Sequence, residues 1–186
     1  MKFSLPQKYN KRGFTLIELL MVIVIISILA VLAVNAYIYA RYKGLLNLQT
    51  EKVVESIRSA KYEVTKGRAE GEPVCNALKI VVGSEIIEKH EGEYIDEICK
   101  NFLKTGSKYV LSTPVNVGGI KINGTEADEV FIYFSPPDGE MFVNLEGTKN
   151  KIDLLMQFGD KDETEWQRTI TIDPLTNVAK MQPPKK

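Results

Sequence analysis

Histidine occurs once, tryptophan once and cysteine twice in the 186 residues of this chain. That scarcity excludes most zinc centres, which draw three or four ligands from His, Cys and carboxylates. Cys75, Cys99 and His90 cannot complete a zinc site without further ligands. His90 lies in HEGE, a turn-like stretch, and nothing around it supplies the nucleophile and orienting acid that single-histidine chemistry needs. No glycine-rich phosphate loop is present. Net charge is also lacking: 24 Lys and Arg balance 24 Asp and Glu, so no global basic field points to nucleic acid. Repeats and low-complexity tracts are missing. These absences describe a chain that is not an enzyme, with no cofactor, no metal and no small-molecule substrate.

What the chain does have is apolar residues, unevenly placed. The segment KRGFTLIELLMVIVIISILAVLAVNAYIYARYKG begins at Lys11, and from Leu19 to Ala40 no residue is charged. Only Ser27 and Asn35 are clearly polar there. A bilayer core takes about 20 apolar helical residues to cross, so this run is a membrane span. Glu18 stands at its lip, an acid that needs a partner. Lys2, Lys8, Lys11 and Arg12 precede the span, an asymmetry that places the N-terminus in the cytoplasm and the remainder outside. A secretory signal peptide fits poorly: its apolar region runs about 7–15 residues and ends in a small-residue cleavage site. Here no A-x-A pattern closes the run before Tyr37.

Beyond the span, Leu46, Thr50, Val53, Ile57, Ala60 and Val64 follow alternating steps of four and three, one face of a helix. Glu51, Lys52, Glu55 and Arg58 take the other faces. The helix therefore runs from Phe14 to about Lys66, with Gly67 suited to its C-cap. GRAEGEP (67–73) is a linker by composition, and LKIVV (78–82) is a strand. In GEYIDEICKNFLKTG, Ile95, Ile98, Cys99, Phe102 and Leu103 fall at helical spacing, which predicts a short amphipathic helix closed near Gly106. From Tyr109 the period becomes two: Ile152, Leu154, Met156 and Phe158 in one run, Trp166, Arg168, Ile170 and Ile172 in another. VGG, ING, PPDG, EGTKN, GDKDE and DPLTN read as turns between short strands. The fold class is α+β, a long N-terminal helix packed on an antiparallel meander.

RGFTLIE (12–18) resembles the processing site of type IV prepilins and type II secretion pseudopilins. The resemblance implies cleavage between Gly13 and Phe14 by a prepilin peptidase, N-methylation of Phe14, and a filament-assembly role for Glu18. It also implies the pilin-like fold, other pilins or pseudopilins and an inner-membrane assembly platform as partners, and a single-pass protein with a periplasmic head. Domains follow: leader 1–13, membrane half of the helix 14–40, amphipathic half 41–67, head 68–180, basic tail 181–186. Major pilins usually carry Gly where this chain has Ser27 and Pro where it has Asn35, so the resemblance is to a minor subunit. IRSAKYEVTKG (57–67), VFIYFSPPDGEMFVNLEG and RTITIDPLTNVAK resemble the H-type minor pseudopilins and the FimT-like minor pilins. In the last segment Asn177 replaces a family-like glycine, a residue that also tolerates left-handed turns.

Other candidates each have a plainer reading. Cys75 and Cys99 can form a disulfide in an oxidising compartment, closing a loop worth roughly 3 kcal/mol; the alternative is two unrelated buried thiols. Asp160, Asp162, Glu163 and Glu165 gather carboxylates of the kind calcium takes, as in a late loop of some major pseudopilins; an acidic hairpin turn is commoner. Lys180, Lys185 and Lys186 make a basic tail that can touch DNA phosphates, as in a FimT-like pilin of a DNA-uptake pilus; a frayed soluble end is the bland alternative.

Overall fold

The computed structural model describes residues 14–66, 73–145, 147–159 and 163–183. They divide into two units, one ending at Arg41 and one beginning at Tyr42. A single helix, α1 (Leu16–Lys66), contributes to both. In the first unit every described residue is exposed, as an apolar surface meant for lipid or for other helices would be. Ser27 satisfies its hydroxyl inside the helix by donating to the Ile23 carbonyl at 2.8 Å, which leaves that donor paired on this apolar stretch.

In the second unit α1 buries one face. The stripe read from spacing, Leu46, Thr50, Val53, Ile57, Ala60 and Val64, is buried throughout, while Glu51, Lys52, Glu55 and Arg58 are exposed. Gln49, Val54 and Ser56 are buried as well, so the face is wider than the stripe. Its polar members each make a hydrogen bond, though Gln49 Oε1 is buried without a partner among the described residues. Thr50 donates to the Leu46 carbonyl at 2.7 Å and Gln49 Nε2 donates to Ser112 Oγ at 2.9 Å. Glu63, on the same helix, accepts from Asn76 Nδ2 at 3.2 Å and pairs with Lys89.

Among the described residues, ten strands form two antiparallel five-stranded sheets. The first holds β1 (Val74–Val81), β2 (Ile86–Ile95), β3 (Ile98–Val110), β6 (Glu129–Ser135) and β7 (Glu140–Val143), in the order β3-β2-β1-β6-β7. The second holds β4 (Val115–Ile122), β5 (Thr125–Ala127), β8 (Ile152–Phe158), β9 (Gln167–Asp173) and β10 (Val178–Met181), in the order β10-β9-β8-β4-β5. Both sheets and the helix share one apolar core, in which Leu78, Ile132, Leu154, Met156 and Ile170 are fully buried. The β1–β2 turn ties the sheets together, Gly83 N–H donating to the Val117 carbonyl at 2.7 Å.

Three expectations are corrected. The strands are not one meander: β1 pairs with β6, Leu78 opposite Ile132, so a long-range contact divides the head into two sheets. The short helix expected over 92–106 is instead a β-hairpin, β2 and β3 joined through Asp96 and Glu97, both left-handed at φ 51° and 63°. Asp-Glu carries no turn signal, and two register shifts in β2–β3 break the two-residue period that would have marked strands. VGG is no turn either; Gly118 and Gly119 lie inside β4 at a bulge, and Gln157 Oε1 occupies the space that a Gly118 Cβ would take. ING and DPLTN do turn the chain, with Asn123, Gly124 and Asn177 at positive φ. Gly67 and most of the GRAEGEP linker lie outside the described residues.

Candidate functional site

The N-terminus of α1 is where the sequence concentrates its chemistry. Thr15 is the residue before the helix and Glu18 the third within it, which makes T-L-I-E a capping box: a threonine and an acid three residues on, each satisfying the other's orphan N–H. The geometry is complete. The Thr15 N–H and its hydroxyl both donate to Glu18 Oε2 at 3.0 Å, and the Glu18 N–H donates to Thr15 Oγ1 at 3.3 Å. The acid also sits at the positive end of the helix dipole. Sequence reasoning asked Glu18 for a cation and missed this nearer partner, although the spacing signals it. Both bonds converge on Oε2, and among the described residues Oε1 has no partner. Phe14, the first described residue, is 82% exposed; Gly13 and the leader fall outside the described residues.

The other sequence candidates lie elsewhere and do not converge. Cys75 on β1 and Cys99 on β3 are bonded to each other, with Cα atoms 5.9 Å apart. His90 on β2 meets the Phe131 ring edge-on at 5.4 Å, and its Nε2 lies 3.6 Å from Glu88. Glu88 also binds Lys104. Chiefly through the Lys104 hydrogen bond, and less through His90, its carboxyl is held below the usual carboxylate range. In the acidic segment Asp160 and Asp162 fall outside the described residues, while Glu165 pairs with Lys43 at 3.3 Å. Among the described residues no three His, Cys, Asp or Glu side chains group closely enough to hold a metal. Lys180 is exposed on β10, opposite Thr171; Lys185 and Lys186 fall outside the described residues.

The same N-terminal segment is the one that comparison with known proteins finds. A family model of the prokaryotic N-terminal methylation motif matches residues 8–34. No curated protein and no solved structure matches the chain. The motif belongs to structural subunits rather than catalysts, and implies assembly with other pilins and processing by a prepilin peptidase. It opens a helix long and apolar enough to cross a membrane, a combination that suggests membrane anchoring. The methylation motif, the apolar helix behind it and the α+β head together indicate a type IV pilin-like precursor.

Proposed function

We propose that the chain is a minor subunit of an envelope-spanning filament, of the H-type pseudopilin or FimT-like kind, serving type II secretion or a type IV pilus. The leader lies in the cytoplasm and the head in the periplasm. A prepilin peptidase cuts after Gly13, Phe14 becomes the methylated N-terminus, and an inner-membrane assembly platform draws the subunit into the filament. The observation that carries this reading is RGFTLIE, with its acid folded onto the start of an apolar helix.

Mass spectrometry of the membrane-extracted protein tests the processing step. A mature chain beginning at N-methylated Phe14 is expected; an intact leader in cells that contain the peptidase overturns the reading. Deleting the subunit then separates the machines, by loss of exoprotein secretion in one case and of pili or DNA uptake in the other. Ligand capture by a DNA-uptake pilus is the second reading, supported by the exposure of Lys180. A gel shift tests it on the full chain, wild type against Lys180, Lys185 and Lys186 changed to Ala.

A further inference from the structure

Neighbouring strands in a sheet lie about 4.8 Å apart, so strands two places apart lie roughly 9.6 Å from each other. β1 and β3 are two places apart, with β2 between them, yet the Cα atoms of Cys75 and Cys99 are 5.9 Å apart. The hairpin end therefore leaves the plane of the sheet and folds across β2. Gly92, opposite Cys75 in register, marks the crossing: a Cβ there would lie 2.7 Å from the Phe102 ring and 2.9 Å from the Lys100 carbonyl oxygen. The register shifts between Glu88 and His90 and between Glu91 and Glu93 supply the bend.

Folded this way, Phe102 lands on Phe131 and Tyr133, ring centroids 5.0 and 5.4 Å away, and Tyr133 stacks on Phe142 at 5.2 Å. Phe131 and Tyr133 alternate along β6 with the core residues Val130, Ile132 and Phe134, so they occupy the face turned away from the main core. The hairpin end covers a second, thinner apolar layer. Its other ties lie at its base, where Leu103 and Lys104 pair in register with Glu91 and His90 and Lys104 binds Glu88. β3 is exposed along most of its length, the Asn101 amide bonds Glu93 within the same hairpin, and Asp96, Glu97 and Asn101 all hold positive φ, a conformation that disfavours non-glycine residues.

We propose that the Cys75–Cys99 bond is a redox latch on this cover. Oxidised, it holds the hairpin end across Gly92; reduced, residues 93–104 lift as a local unit while the rest of the head stays folded, baring Phe131 and Tyr133. The reductant is a dithiol of the thioredoxin-like class. Its thiolate attacks the Cys99 sulfur, the partly exposed partner, since Cys75 is fully buried. A mixed disulfide forms and the Cys75 sulfur leaves, taking up a proton. The second donor thiol then attacks the mixed disulfide, releasing Cys99 as a thiol and the donor as a disulfide. Two electrons and two protons pass to the protein. The latch does not depend on which filament the subunit serves.

Hydrogen exchange read by mass spectrometry on the full chain in detergent micelles tests it, oxidised against dithiothreitol-treated, with binding of an anilinonaphthalene sulfonate dye as a second readout. Reduction is expected to raise exchange about tenfold or more in residues 93–104, and to raise dye binding, while 42–66 and the second sheet keep their protection. Unchanged exchange in 93–104 overturns the latch. So does a loss of protection spread over the whole head, which makes the bond a general stabiliser. Cys75→Ala/Cys99→Ala is expected to match the reduced protein; because dithiothreitol acts on protein already folded, a variant that fails to fold leaves the test intact.

Discussion

Close approaches of backbone to side chain are the least visible feature of this sequence. Gly92 reads as an ordinary polar-loop glycine, yet the Phe102 ring lies where its side chain would be. Gly92→Ala has to displace that ring, an overpacking cost of about 1–3 kcal/mol. A lower thermal midpoint is expected, recovered in part by adding Phe102→Leu; an unchanged midpoint in the single variant would remove Gly92 from the crossing. Glu88 gives a second residue-level expectation. Lys104 and His90 hold its carboxyl low in the folded head, so the folded state binds that proton less readily than the unfolded chain does. The stability it lends is whole at neutral pH and disappears as pH falls through the acid range. Glu88→Gln should flatten the acid limb of a plot of midpoint against pH, and an identical limb would show that the pair contributes nothing.

At the scale of elements, legibility followed how much each segment depends on distant partners. The α1 stripe from Leu46 to Val64 was readable because a helix carries its own hydrogen bonds and shows its buried face in its own spacing. The β8 run from Ile152 to Phe158 shows its buried face in its own spacing too, at period two, although its hydrogen bonds go to β4 and β9. The β2–β3 hairpin was not. Its apolar residues match helical steps, but Ile98 and Leu103 are exposed, and Phe102 is placed by rings on β6, a strand some thirty residues away. The pairing of β1 with β6 leaves no local trace either, and it turns one expected sheet into two. The turn itself remains a weak point. Asp96 and Glu97 both hold left-handed backbone, where Asn-Gly is the favoured pair. Asp96→Asn/Glu97→Gly is expected to stabilise the head by about 1 kcal/mol in denaturant unfolding, and a loss of stability would show that the acidic side chains themselves are needed.

For the whole molecule the legible part was the segment that the methylation-motif model also matches, residues 8–34, because such a motif and the apolar run behind it are written in consecutive positions. A contact between chains would leave no such mark. Cleavage after Gly13 would remove Lys11 and Arg12 and create an amine at Phe14, beside a carboxylate whose Oε2 is already held by Thr15 and whose Oε1 has no partner among the described residues. Oε1 is therefore the oxygen we assign to the Phe14 amine of a neighbouring subunit. Two substitutions separate cap from charge. Glu18→Gln keeps an acceptor for Thr15 and loses the charge; Thr15→Val keeps the charge and loses the cap, at about 1 kcal/mol. Leaving one partner of a poorly solvated pair unpaired costs roughly 3–5 kcal/mol where burial is complete, enough to lower incorporation by two orders of magnitude or more. Glu18→Gln and Glu18→Ala should thus insert and be cleaved normally but enter filaments poorly, while Thr15→Val assembles close to wild type. The measurement is incorporation into filaments in a strain lacking the native subunit, with processing followed by gel mobility. Normal incorporation of correctly processed Glu18→Gln would show that charge at this position is not the assembly contact, and poor incorporation of Thr15→Val would shift the role to the cap.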